Sequence, residues 1–98
     1  MAVNKIEHLL SCLAEECAEV SQRATKAQRF GFFEIQPGQP LTNHVRLRSE
    51  IADLFAVIEM LQDEAKDTLW PLDADVDAKK MKVKQYMAYA ESQGALKV

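Results

Sequence analysis

Six residues punctuate this chain, and they fall in three places. Gly31, Pro37, Gly38 and Pro40 make one interruption, Pro71 a second and Gly94 a third. Gly and Pro are the strongest helix breakers, so the stretches between them are free to run as long helices. Apolar residues recur there by threes and fours, and nothing alternates with period two for long enough to build a sheet. The expected fold class is therefore all-α, with three long helices over about 3–29, 43–66 and 74–92.

On the first, Ile6, Leu10, Leu13, Cys17, Val20, Ala24 and Ala27 make one narrow stripe, and Asn4 offers a cap. A loop rich in aromatics and proline follows, FGFFEIQPGQPLT, whose Phe30, Phe32 and Phe33 are expected to pack into a groove rather than stay in water. The second helix starts near Thr42 or Asn43, both good caps. Its middle is apolar nearly all round, as expected of a central helix covered on several sides. The third begins in the Asp73–Asp77 segment, where acids suit the N-terminal dipole. Its contacts are expected from Val76, Met81, Val83, Tyr86, Met87 and Ala90, and the tail GALKV is expected to fray or dock on a neighbour.

The chain has 98 residues, enough for one domain over 1–98, and a core that small gains from association with a second copy. The net charge of −3 offers no broad basic footprint, which argues against duplex nucleic acid as a partner. No apolar run is long enough to span a bilayer, and Glu7 and His8 interrupt the N-terminal apolar segment before it could serve as a signal peptide. Cys12 and Cys17 point about 140° apart on one helix and cannot pair, so they read as free thiols of a reducing compartment. The expected location is the cytoplasm.

Two spacings carry chemistry. Glu16-x-x-Glu19 lies on the first helix and Glu50-x-x-Asp53 on the second. Residues at i and i+3 share a helix face, so two such pairs placed opposite each other converge four acids on one point. Such a cluster calls for a cation, and donors that are all oxygen suit Mg²⁺ or Mn²⁺. The plain alternative is solvated helix surface, with Glu19 paired to Arg23 and Arg46 to Glu50 at i, i+4. Asp53 weighs against it, because it sits in a nearly unbroken apolar run and has no cation on its own helix face.

Other constellations fail. No Glu has a His three residues later, as a di-iron bundle requires. The Asp73–Asp77 run would need a Gly at Ala78 and a Glu at Lys84 to be a calcium loop. His8 and His44 are isolated, and there is no Gly-rich phosphate loop.

EECAEVSQRATKAQRFG, the Pro-containing loop, TNHVRLRSEIADLFAVIEML and KKMKVKQYMAYAESQGAL together resemble the MazG-like all-α nucleoside triphosphate pyrophosphohydrolases. The likeness is to the small single-domain members found in phages and prophages, and it covers nearly the whole chain. It implies cleavage of a nucleoside or deoxynucleoside triphosphate between the α and β phosphates. It also implies Mg²⁺ held by Glu16, Glu19, Glu50 and Asp53, and assembly into a four-helix-bundle-type homodimer or homotetramer. A carboxylate orients the attacking water, and Glu16 or Glu19 is the expected catalytic group. For substrate contact the candidates are Lys26, Arg29 and Lys82 on the phosphates, with Tyr86 near Lys82, Phe30, Phe32 or Phe33 stacked on the base, and Asn43 at a base or sugar edge. Some relatives carry a Lys or Asn shortly after the E-x-x-D segment. The corresponding VIEMLQDEAKD has no Asn, so base preference does not transfer. The alternative function is a non-catalytic nucleotide- or metal-binding helical dimerisation module.

Overall fold

The computed structural model describes residues 2–97; Met1 and Val98, the ends of the expected 1–98 domain, lie outside the described residues. It is all-helical, with α1 (Lys5–Phe30), α2 (Asn43–Ala65) and α3 (Asp73–Ser92), and no strand among the described residues. The chain divides into two compact units, Met1–Thr68 and Leu69–Val98.

Caps set the helix starts. Asn4 accepts from the Glu7 backbone N–H at 2.8 Å and donates through Nδ2 to Glu7 Oε1 at 2.9 Å, a reciprocal closure of the first turn of α1. Thr42, not Asn43, caps α2, its hydroxyl accepting from Val45 N–H at 3.2 Å. The stops are backbone events. Gly31 ends α1 at φ 117°, a conformation that a side chain would strain. Lys66 ends α2 in the left-handed region, at φ 56° and ψ 37°, where a non-glycine residue costs on the order of 1–2 kcal/mol.

In the first unit α1 and α2 form an antiparallel hairpin. The side of α1 turned to α2 carries Leu9, Cys12, Leu13, Glu16, Val20, Arg23 and Ala27, all at least half-buried. This corrects the expected stripe. Ile6, Leu10, Cys17 and Ala24 are exposed, and the centre of the contact face is rotated by about 70° from the apolar average. The apolar residues of α1 spread over two adjoining faces, and only one of them meets α2. The facing stripe of α2 is Leu47, Glu50, Ile51, Leu54, Val57, Ile58 and Leu61. Within this chain α1 covers one side of α2, and Ala52, Phe55, Ala56 and Met60 are exposed. One neighbouring helix can cover only one side of a cylinder.

The loop between the helices is tied at both ends. Asn43 N–H donates to Glu34 O at 2.9 Å, His44 N–H to Phe32 O at 2.8 Å, and Arg46 Nη1 to Gln36 Oε1 at 2.8 Å. Arg46 is thus engaged by the loop rather than by Glu50. These ties keep the aromatics on the surface, against expectation: Phe30, Phe32 and Phe33 are all exposed, Phe33 by 72%. Phe32 and Phe33 pack on each other and on His44 instead of in a groove. Phe32 lies edge-on to Phe33 at 5.0 Å and tilted to His44 at 4.8 Å between centroids.

In the second unit α3 starts at Leu72 without a side-chain cap, with Asp73 and Asp75 in its first turn. Val76, Met81, Val83, Tyr86 and Met87, the expected contacts, are exposed, and Ala90 is half-buried. Val98 of the GALKV tail lies outside the described residues, and Gly94–Leu96 fold back on the end of α3. Ala95 and Leu96 N–H both donate to Ala90 O, at 2.8 and 3.2 Å, and Gly94 supplies the positive φ of the turn.

Candidate metal centre

Glu16 stands near the centre of the α1 face that meets α2. Glu50 and Asp53 are one turn apart on α2, and the antiparallel hairpin brings both opposite Glu16. One carboxylate oxygen from each of the three lies within 4.8 Å of the others. Glu16 and Glu50 are half-buried and Asp53 is exposed. The premise that Asp53 is the enclosed member is therefore corrected. It lies about 100° from the centre of its helix's contact face, at the rim, because one side of α2 stays uncovered. The enclosed acid is Glu16.

The electrostatics follow. The Glu16 carboxyl is held above its ordinary value of 4.5, first by desolvation and then by the negative charges of Asp53, Glu50, Glu19 and Glu15. Glu19 is exposed, one turn along α1, and outside the group of three, yet its charge is felt at Glu16. Three convergent carboxylates offer hard, negatively charged oxygens and open on one side to water. That donor set fits Mg²⁺ or Mn²⁺ with the remaining positions left to water or substrate. A cation would also relieve the crowding that raises the Glu16 pKa.

The other candidates lie on several elements. Lys26 is half-buried on the same shoulder of the α1–α2 seam as Glu19. Arg29 is exposed, its guanidinium 5.1 Å from the centroid of the Phe30 ring, so the two engage each other at the end of α1. Asn43 is only 3% exposed, and its Nδ2 donates to Gly31 O at 2.8 Å and Glu34 Oε1 at 3.3 Å. It fastens the loop to the helix end, a structural task that leaves this amide nitrogen no freedom to read a ligand. Lys82 and Tyr86 lie exposed on α3 in the second unit.

One residue was misread from sequence. Arg23, taken as an i, i+4 partner of Glu19, has its Nη1 buried with no acceptor among the described residues. Its separation of seven from Glu16 was the available signal, since seven residues return to nearly the same helix face. A groove of about 590 Å³ lies at the opposite end of the hairpin from the loop, between Val3, His8, Leu9, Met60 and Asp63, and includes none of the three acids.

Comparison with protein-family models, with curated proteins and with solved structures yields no match.

Proposed function

We propose that this chain is a divalent-cation-dependent pyrophosphohydrolase of the MazG-like all-α type. It would convert a nucleoside or deoxynucleoside triphosphate into the monophosphate and pyrophosphate. The observation that carries this reading is the approach of Glu16, Glu50 and Asp53 to within 4.8 Å from two different helices. An acidic triad alone repels a triphosphate, so the two are compatible only through a cation. Mg²⁺ or Mn²⁺ would supply charge neutralisation and polarisation of the phosphoryl oxygens.

The chain's own residues have distinct parts. Glu50 and Asp53, held one turn apart on a rigid helix, would orient the cation. Glu16, whose raised pKa marks a carboxylate that gains from a proton or a cation, and Glu19, free at the exposed edge, are the groups to take a proton from the attacking water. As the water oxygen bonds to phosphorus, the α–β anhydride bond breaks and pyrophosphate departs. Lys26 would meet the phosphates from the same shoulder of the seam.

In this reading the protein assembles as a homodimer or homotetramer of bundled helices. Ile6, Leu10, Cys17 and Ala24 are exposed on α1, as are Ala52 and Phe55 on α2. Helix-wheel positions in an antiparallel pair put the α1 residues and Phe55 on the shoulder of the seam opposite Glu19 and Asp53, with Ala52 on the back of α2. An apolar shoulder for the partner and an acidic one for the substrate divide the surface of the hairpin. No helix among the described residues is long and apolar enough to cross a membrane. The proposed setting is the cytoplasm, where the enzyme acts on the nucleotide pool, in a phage-related or house-cleaning role.

The test is a panel of triphosphates mixed with purified protein and Mg²⁺, with pyrophosphate measured. Release from at least one is expected, with loss of release in Asp53→Asn while helicity by circular dichroism is retained. Full release by Asp53→Asn, or none from any substrate, overturns the proposal.

A further inference from the structure

Arg23 has an unusual place for a charged residue. It lies on the α1 face that meets α2, seven residues and roughly 10 Å along the axis from Glu16, at nearly the same azimuth. Its Nη1 is removed from solvent and meets no acceptor among the described residues. A buried donor without a partner is costly, and a charged one more so, which is a driving force for an acceptor to come to it. The nearest acid along the helix is Glu19, four residues before, in the order that favours an i, i+4 pair. That pair is nevertheless not made to Nη1.

The row that contains Arg23 is ordered by charge. Glu16, Glu19, Arg23 and Lys26 are spaced three, four and three apart, so they form one ridge along α1, two acids followed by two bases. Wheel positions in the antiparallel hairpin put this ridge toward the same shoulder as Glu50 and Asp53. A ligand with a cation-binding end and an anionic end would lie along it, the cation at the acid end and free phosphoryl oxygens at the basic end.

We infer that Arg23 is a phosphate-binding residue: its guanidinium, held in the α1–α2 seam two turns from the acidic triad, takes the oxygens of the polyphosphate chain that the cation leaves free. This rests on the metal-dependent triphosphate reading above. A guanidinium suits the task because its planar fork meets two phosphoryl oxygens at once and keeps its charge at any working pH. The seam restricts its rotamers before binding, so less freedom is lost when the ligand arrives. Lys26, next on the ridge, supplies a mobile point charge beside that fixed fork.

The experiment is calorimetric titration of the full chain with two probes, Mn²⁺ alone and inorganic tripolyphosphate in the presence of Mg²⁺. Mn²⁺ affinity is expected to be the same in Arg23→Gln as in the unaltered chain. Tripolyphosphate binding is expected to weaken by about 10- to 100-fold, the loss typical of a charge-assisted contact. Arg23→Lys keeps the charge but not the fork and is expected to fall between. A structural role alone would alter the melting temperature and leave the tripolyphosphate affinity of the folded protein as it was. Tripolyphosphate affinity in Arg23→Gln within roughly twofold of the unaltered chain, with Mn²⁺ still bound, overturns the role of Arg23 and leaves the metal centre standing. Absence of Mn²⁺ binding in the unaltered chain removes the metal centre and this role with it. Should Arg23→Gln not fold, Arg23→Lys decides: weakening of roughly threefold or more supports the role, and an unchanged affinity overturns it.

Discussion

Replacing Glu16 with Gln separates a metal centre from an ordinary charged surface, because the two predict opposite signs. Glu16 is half-buried and crowded by Asp53, Glu50 and Glu19, which raises its pKa above 4.5. A carboxyl whose pKa is higher in the folded than in the unfolded chain destabilises the fold when ionised. That penalty is absent below the unfolded value and present in full above the folded one. At neutral pH without metal, Glu16→Gln should therefore melt higher than the unaltered chain. A surface salt-bridge role predicts a lower melting temperature. With metal the order reverses. A site loaded at 100 times its dissociation constant adds about 2.7 kcal/mol. For a chain of 98 residues the unfolding entropy is roughly 0.2 kcal/mol/K, so the unaltered protein should gain about 13 °C from Mn²⁺. Removing one of three ligands, at about a hundredfold in affinity, leaves the variant a gain of only about 2 °C. Scanning calorimetry with and without Mn²⁺ measures all four values. The pH dependence has a definite sign as well: the Mn²⁺ gain of the unaltered chain should start to fall at a pH above 4.5, as protons compete for Glu16. If Glu16→Gln lowers the metal-free melting temperature, or gains as much from Mn²⁺ as the unaltered chain, the reasoning from convergent carboxylates fails.

Two further outcomes test the scaffold. Asn43→Ala leaves the Gly31 carbonyl and Glu34 without their amide donor and should cost roughly 2–3 kcal/mol by denaturant unfolding; a change below about 0.5 kcal/mol would show the loop to be held by its backbone bonds alone. Leu10→Glu, on the apolar shoulder away from the acids, should convert the proposed assembly to a monomer in light scattering while Mn²⁺ binding persists; an unchanged oligomeric mass excludes that shoulder as the interface.

The acidic triad was legible in spacing because i, i+3 pairs on two helices can meet only where the helices pack, and Glu16, Glu50 and Asp53 do approach. Arg23 was not. In sequence a Glu four residues before an Arg reads as a surface pair, and only the packing of α2 shows an atom of that Arg enclosed with no acceptor. Asn43 misled in another way: as a residue after the loop it looked like a cap or a ligand contact, whereas its amide nitrogen bonds the loop it follows.

By itself the sequence determined the local structure. Breakers at Gly31, Pro37, Gly38, Pro40 and Pro71 divide it, caps at Asn4 and Thr42 start α1 and α2, and local periodicity does the rest, all within a few residues of contact along the chain. The tertiary structure alone decided which side of α1 faces α2, that Glu16 rather than Asp53 is the enclosed acid, and that the loop aromatics pile on one another. The physical reason is that α1 carries apolar residues on two adjoining faces, and the one that meets α2 also holds Glu16 and Arg23. Periodicity averages them, while packing against a single partner helix must select one.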